Sequence, residues 1–317
     1  MINSSPPTRP SALKARKHPG KTMTRMESPL ESTHYTVRQL LRYAVEALHI
    51  AGVDTPFLDA EVMLSQASGS SRVELIAHPD LQLPPETALK FAEWVYRRSQ
   101  REPLAYIVGK QEFFGICFEV TPAVLIPRPE TEILVETAIE FLKNLDKPIL
   151  ADIGIGSGAV AVSIAKNVEN VFVYGTELSQ TGLDVARRNV EHVGVQDKVQ
   201  LLNGDLLEPL ISKKFDLIVS NPPYIASGEI DNLQPEIAKY EPKIALDGGP
   251  DGLDYYRRLS AEAPDYLKAD GILAVEVGFG QSDSVKTIFE SNGFQNVRSV
   301  NDYGGIERVI AGEKGGE

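Results

Sequence analysis

The chain's apolar positions change period partway along, and that change divides it. Val37, Leu40, Leu41, Ala44, Val45 and Leu48 recur at helical spacing and form one stripe. Thr36 with Gln39 has the form of a capping box, and Gly52 suits the stop. Thr55-Pro56 predicts a second helix, an N-cap followed by proline at the first helical position, with Leu58, Val62 and Met63 along it. Ser71 with Glu74 can cap a short third helix. Pro84-Pro85 precedes a longer helix through Phe91, Trp94 and Val95 to about Gln100. The expected unit is a small helical domain over residues 34–100. Residues 101–132 read differently: strand-like runs at 113–120 and 124–126 are punctuated by Gly109, Gly115, Pro122, Pro127 and Pro129, which predicts a hairpin and a linking loop.

A helix over 130–145 leads into a repeating strand–helix rhythm. Strands are expected at 149–153, 171–176, 199–202, 215–220 and 272–277, with helices at 159–166 and 180–193. Two strands at 294–300 and 307–311 close the chain with no full helix between them. Parallel βαβ units ending in an antiparallel hairpin predict an α/β fold with a Rossmann-like sheet over 133–317.

Composition narrows the chemistry. The 317 residues suffice for one large α/β domain and a small second one. The net charge of −12 disfavours direct nucleic-acid binding, whose affinity comes largely from Lys and Arg. Cys117 is the single cysteine, which fits a reducing compartment such as the cytoplasm. His18, His34, His49, His78 and His192 show no zinc-ligand spacing, so no metal is expected. No stretch approaches the ~18 apolar residues of a membrane span. Residues 1–26 hold Arg9, Lys14, Arg16, Lys17, Lys21 and Arg25 without an acid, so 1–33 is expected to be a disordered basic tail, or sequence upstream of a start at Met23 or Met26. An organelle transit peptide is the sharper reading, but Pro6, Pro7, Pro10 and Pro19 break the helix it requires.

Between the first strand and helix of the α/β half lies Asp152-Ile153-Gly154-Ile155-Gly156-Ser157-Gly158. Its glycines allow a tight turn and let a ligand lie on bare backbone at a helix N-terminus. Glu177 ends the second strand, where a carboxylate can accept both hydroxyls of a ribose. Gly204-Asp205-Leu206 follows the third strand and would flank an adenine, with Asp205 binding its amino group or serving as a cap. An acid two residues before the first glycine suits S-adenosylmethionine, which has no pyrophosphate, better than a dinucleotide.

The fourth strand runs directly into Asn221-Pro222-Pro223-Tyr224. A planar amide or aryl-amine nitrogen is a weak nucleophile because its lone pair is delocalised. Two acceptors that each take one N–H can pin it and favour the pyramidal form. Asn221 offers its side-chain oxygen and Pro222 its backbone carbonyl, while the prolines stiffen the turn. The Tyr224 ring can pack on the flat acceptor and favour a cationic methyl donor. Such a site works mainly by orientation and needs no general base of tuned pKa.

On these motifs the chain resembles the release-factor glutamine methyltransferase family (HemK/PrmC type). The resemblance covers about 36–311 and includes Glu102-Pro103-Leu104-Ala105-Tyr106-Ile107, the segment Val124-Leu125-Ile126-Pro127-Arg128-Pro129-Glu130-Thr131-Glu132, Glu241-Pro242 with Ala245-Leu246, Gly248-Gly249-Pro250-Asp251-Gly252-Leu253, and Val275-Glu276-Val277-Gly278 with Gln281. It implies a class I methyltransferase sheet with a helical substrate-recognition domain. The implied acceptor is the glutamine of the Gly-Gly-Gln motif in class I peptide chain release factors. Gly154, Ile155, Gly156, Ser157, Gly158, Glu177, Asp205, Leu206 and Asn221 would contact S-adenosylmethionine, and Asn221, Pro222, Pro223 and Tyr224 would hold the glutamine, with Asn221, Pro222 and Tyr224 as the catalytic set. Ile155, Glu177 and Leu206 depart from common family residues. Arg128 with Glu132 forms a structural ion pair or meets substrate, and 248–253 is a structural turn or lies near the acceptor. A monomer is the expected state. The alternatives are an amino-methyltransferase for adenine or guanine, and one for a ribosomal-protein glutamine.

Overall fold

The computed structural model describes residues 35–315. The basic tail expected over 1–33 lies outside the described residues. The described chain opens with β1 (Tyr35–Thr36), α1 (Val37–Ile50), α2 (Pro56–Ser68), α3 (Arg72–Ala77), β2 (Gln82–Leu83) and α4 (Pro85–Ser99). Both halves of the Thr36–Gln39 capping box form, and α1 buries Val37, Leu40, Ala44 and Leu48. Pairing of β1 with β2 is an addition to the expected elements.

Helix α2 begins at Pro56, but its inward face differs from the expected one. Leu58 faces solvent, whereas Asp59, Ala60, Met63 and Leu64 are buried. The Thr55 hydroxyl donates to the Asp59 carboxylate (2.7 Å) and makes no side-chain cap. Asp59 is drawn inward by Arg98, whose Nε lies 2.7 Å from Oδ2. The second arm of Arg98 reaches Glu236 at 2.8 Å, and Arg101 reaches the same carboxylate at 2.6 Å. An apolar residue in place of Arg98 leaves Asp59 as a buried charge without its partner. Arg98→Leu is therefore expected to destabilise the fold by about 3–5 kcal/mol, read as a lower denaturant midpoint. An unchanged midpoint would rule out this role.

The linking region holds α5 (Leu104–Val108), β3 (Lys110–Phe113) and β4 (Ile116–Glu119). Helix α5 was not foreseen in the pattern. The run 113–120, expected as one strand, is broken at Phe114 (φ 50°) and Gly115 (φ 69°). Two successive left-handed residues make the kind of turn that matches strand twist, so the hairpin closes inside the run. Residues 124–126 form no strand. Val124 and Ile126 pack instead with Tyr106 and Val185, and the Tyr106 hydroxyl donates to the Val124 carbonyl at 2.6 Å. A single 3-10 turn at Pro129–Thr131 leads into α6 (Glu132–Leu142).

The α/β half continues as β5 (Ile149–Ile153), α7 (Ala159–Asn167), β6 (Phe172–Glu177), α8 (Gln180–Val193), β7 (Val199–Asn203), β8 (Phe215–Ser220), α9 (Pro235–Tyr240), α10 (Asp254–Glu262), β9 (Leu267–Glu276), α11 (Ser282–Ser291), β10 (Phe294–Asn301) and β11 (Glu307–Lys314). These strands form one seven-stranded sheet in the order β10-β11-β9-β8-β5-β6-β7. Strands β5 to β9 run parallel, and β11 is antiparallel to both β9 and β10. Helices α6, α7 and α8 cover one face through Leu134, Val162 and Leu183. Helices α10 and α11 cover the other through Tyr256, Leu259, Val285 and Phe289.

The strand order reverses beside β5, whose neighbours are β6 and β8. At such a switch point the connections leave in opposite directions and open a crevice at the carboxyl ends of the strands. Ile153 pairs with Ser220, and Ser220 with Val275. The residues that follow these three are Gly154, Asn221 and Glu276, so register alone brings the glycine loop, the Asn-Pro-Pro-Tyr turn and an acid to one edge of the sheet.

Candidate active site

The crevice holds an open cleft of about 1060 Å³, mouth included. Gly154, Ile155, Gly156, Ser157, Glu177, Asp205, Leu206, Asn221, Pro222 and Pro223 all line it. Gly158 lies just behind as the α7 N-cap. Tyr224 is not among the lining residues. Its ring packs beside Gly278, where an added Cβ would come within 3.0 Å of Cδ2. Burial and the nearby Glu276 charge raise its hydroxyl pKa well above the usual phenol range.

Gly154, Gly156 and Gly158 adopt φ of 73°, 55° and 85°, backbone that side chains rarely tolerate. The N–H groups of Gly154 and Ile155 donate to the Thr176 carbonyl, which clips the loop to the end of β6. Asp152 is buried, and its Oδ2 accepts the Ala161 N–H in the first turn of α7 at 3.0 Å. Burial pushes its carboxyl up to about 7, against that backbone bond. Asn189 carries the brace outward by donating to the carbonyls of Ser157 and Glu119.

The Glu177 carboxylate accepts the Gly156 N–H at 3.0 Å through one oxygen and the Ser179 N–H at 2.9 Å through the other. A carboxylate has about four acceptor positions, so two remain for a pair of hydroxyls. Asp205 is held by Arg258 at 2.7 Å. It lines the cleft and caps no helix with its side chain, and its backbone carbonyl accepts from Glu208. The cleft thus offers bare loop backbone, a diol-sized acceptor and an apolar wall of Leu206, Ile155 and Val160. Those features fit the amino-acid, ribose and adenine parts of S-adenosylmethionine. The carboxylates Asp152, Glu177 and Asp205 suit its positive charge.

At the other wall, the Asn221 side-chain amide donates to the Thr131 hydroxyl at 3.1 Å. Neither Asn221 Oδ1 nor the Pro222 carbonyl accepts a hydrogen bond from the described residues. By contrast, the Tyr224 carbonyl is taken by Gln281 Nε2 at 2.9 Å. Gln281 Oε1 in turn accepts the Gly278 N–H. The 248–253 loop buttresses the same turn. A Cβ on Gly248 would stand 2.8 Å from the Pro223 carbonyl, and one on Gly252 would stand 2.4 Å from that of Tyr224. Both glycines are there because the backbones touch.

The expected alternative of an Arg128–Glu132 ion pair is not what forms. Arg128 pairs with buried Glu241, and Glu132 accepts the Phe114 N–H at 2.8 Å. The Arg128 contact holds the segment that returns from α9 against the linker. Burial raises the Glu241 carboxyl pKa, and the Arg128 charge opposes the rise.

Several cleft residues were not expected to belong to the site. Ala123, Val124 and Leu125 of the linker, Ile244 and Ala245, and Tyr255 of α10 all line it. Nothing local assigns them to the cleft, although Val124, Leu125 and Ala245 lie in segments that carry the family resemblance, because each arrives from a distant stretch of chain. Gly175 left one trace, as a lone glycine inside a strand. A Cβ there would stand 2.2 Å from Ile155 Cδ1, so the glycine lets the loop lie flat on β6. Among the described residues, no group of three or more His, Cys, Asp or Glu has a metal-holding arrangement, and no helix is long and apolar enough to cross a membrane.

Comparison with known proteins places this geometry. Residues 39–109 match the PrmC N-terminal domain family and residues 130–241 the Methyltransferase small domain family. The Release factor glutamine methyltransferase of Geobacter sulfurreducens is 44% identical over 281 residues, covering 89% of this chain and 98% of that protein. That of Moorella thermoacetica is 42% identical over 276 residues, covering 87% and 97%. The solved hMettl16 catalytic domain superposes with a TM-score of 0.52 at 16% identity, over 71% of this chain and 81% of that one, a likeness of fold alone. With its α/β sheet, its glycine loop and its Asn-Pro-Pro-Tyr turn in register, the chain belongs to the release factor glutamine methyltransferase family.

Proposed function

We propose that this protein transfers a methyl group from S-adenosylmethionine to the side-chain amide nitrogen of the glutamine in the Gly-Gly-Gln motif of class I peptide chain release factors. The observation that carries this reading is the pair of untaken acceptors, Asn221 Oδ1 and the Pro222 carbonyl, at the wall of the cleft. A primary amide has two N–H groups in one plane, and two acceptors on a rigid turn match that donor set. Relatives named for release factor glutamine methylation, matched over nearly their whole length, support the same acceptor.

S-adenosylmethionine supplies an electrophilic methyl group when bound. The chain's own residues do the rest. Glu177 accepts the ribose hydroxyls, and the 154–158 backbone lies against the amino-acid portion. Leu206 and Asp205 flank the adenine. Asn221 and Pro222 accept the two amide N–H groups, hold the nitrogen toward the cleft and favour the form with a directed lone pair. Pro223 and Tyr224 shape the acceptor side of that turn. The methylated nitrogen is acidic and loses its proton to water, so no side chain need act as base. The rate then comes mainly from orientation, a term that can reach about 7–11 kcal/mol in well-ordered reactions. The helical unit would grip the release factor, and the acidic chain would act in the cytoplasm without binding nucleic acid directly.

The test is transfer of labelled methyl to a purified class I release factor, beside a Gly-Gly-Ala version and duplex DNA. Label on the wild-type factor alone is the expected result. Label on DNA, or on none of the three, would overturn the assignment of the acceptor.

A further inference from the structure

The Asn221 amide has to be the right way round, and the amide itself does not decide this. Its oxygen and nitrogen are nearly the same size, so either can face the acceptor. Only the oxygen accepts an N–H from substrate. What sets the direction is the group on its far side, Thr131, which is buried and lies 3.1 Å from Asn221 Nδ2.

A hydroxyl has one proton. If Thr131 gives it away elsewhere, its oxygen can only accept from Asn221, which forces Nδ2 toward Thr131 and Oδ1 toward the cleft. Beside it sits Glu276, at the carboxyl end of β9, 2% exposed and with Oε2 unpartnered. The hydroxyls of Thr131 and Tyr224 face this carboxyl and favour its charged form. An ionised carboxylate only accepts, so a Thr131 proton given to this orphaned oxygen would fix the direction of the whole relay: Thr131 to Glu276, and Asn221 to Thr131.

We propose that Thr131, its proton committed to the Glu276 carboxylate, is a positioning residue that holds the Asn221 amide with its oxygen toward the acceptor. This rests on the reading of Asn221 as the residue that binds the glutamine amide. It gives the Pro129-Glu130-Thr131 turn a task in the chemistry, and it gives one to a buried acid that is not among the cleft-lining residues.

The groups around Glu276 are Thr131 and Glu130 from the 3-10 turn, Tyr224 from the turn after β8 and Arg308 from β11. From α10, the Tyr256 hydroxyl donates to its backbone carbonyl. Burial pushes the Glu276 carboxyl up to about 7, while Thr131, Arg308 and Tyr224 hold it down. Once protonated, Glu276 can donate to Thr131, which can then donate to Asn221 Oδ1 and turn the amide over. Activity should therefore fall as the pH drops through about 7, because the protonated form loses the orienting acceptor.

The test compares Thr131→Val, Thr131→Ser and Glu276→Gln with the wild-type enzyme, using release factor as substrate. Thr131→Val keeps the shape but neither donates nor accepts, and it is expected to lower kcat by about 10- to 100-fold. KM for the factor and the calorimetric Kd for S-adenosylmethionine should stay within about threefold of wild type. Thr131→Ser should recover most of the loss. A readout independent of turnover is the side-chain amide of Asn221 in 15N-labelled protein, identified by its disappearance in Asn221→Ala. Its hydrogen-bonded proton should move upfield in Thr131→Val. Glu276→Gln should remove the acid limb of the kcat profile. Wild-type kcat in Thr131→Val overturns the proposal, as does a loss that Thr131→Ser fails to restore. An acid limb that survives in Glu276→Gln overturns the part assigned to that residue. If Asn221→Ala itself methylates normally, the reading of the site fails first, and that outcome is separate from all of these.

Discussion

Asn221→Ala is expected to lower kcat for methyl transfer on the order of 10²–10³-fold, the cost seen when one preorganised hydrogen-bonding group is removed from an active site. The substitution deletes the oxygen that takes one of the two amide N–H groups and leaves the Pro222 carbonyl to hold the nitrogen alone. The nitrogen can then relax to its planar, delocalised form and swing out of line. It also leaves Thr131 without its 3.1 Å donor. Binding of S-adenosylmethionine should weaken far less than kcat, because Asn221 is one of many expected contacts and the glycine loop and Glu177 stand on other strands, so the main effect should remain at saturating donor. Asn221→Asp makes a sharper comparison. It keeps an acceptor oxygen but loses the Nδ2 donor and sets a second carboxylate near Glu276, so it should be nearly as slow. The check is single-turnover methyl transfer to release factor, with melting curves to verify the fold. Turnover within about threefold of wild type would remove Asn221 from the mechanism.

Glu177→Ala is expected to weaken S-adenosylmethionine binding by about 100-fold. Hydrogen bonds to a charged group contribute roughly 1.5–3 kcal/mol each, and 2.7 kcal/mol is about two decades of Kd. The carboxylate does two things at once. It would accept the ribose hydroxyls, and it already holds the Gly156 and Ser179 N–H groups, so it shapes the loop that receives the ligand. Glu177→Gln keeps one acceptor oxygen and should fall between alanine and wild type. Calorimetric titration of the donor into each variant reads this directly, and kcat at saturating donor should largely survive. An unchanged Kd would show that the ribose is held elsewhere.

The parts of this protein legible along the chain are those set by short-range chemistry. The α8 and β8 boundaries follow the pattern residue for residue, because a helix with a Ser cap and a Gly stop, or a largely apolar run ending in Asn-Pro-Pro, leaves few other solutions. The glycine loop is legible because φ near 55–85° at alternate positions is tolerated almost only by glycine. What resisted was the linking region. At 113–120 Gly115 marks a break, but no residue type shows that Phe114 joins it in the left-handed turn that closes the hairpin inside the run. At α2 the apolar Leu58 looked like core, but the partner that pulls Asp59 inward lies 39 residues away.

The residues themselves therefore determine the α/β class, the loop that can cradle a ligand and the turn that can hold a planar amide, since each depends on backbone preference or side-chain type within a few positions. Tertiary structure decides which of these meet. Parallel pairing sets Ile153 beside Ser220 and Val275, and so brings Gly154, Asn221 and Glu276 to one edge. The turn before α6 then delivers Thr131 to Asn221 across 90 residues of sequence. The orientation of a single amide depends on where a buried proton goes, and no local pattern carries that, because the donor, the acceptor and the charge that orders them sit on three separate segments of chain.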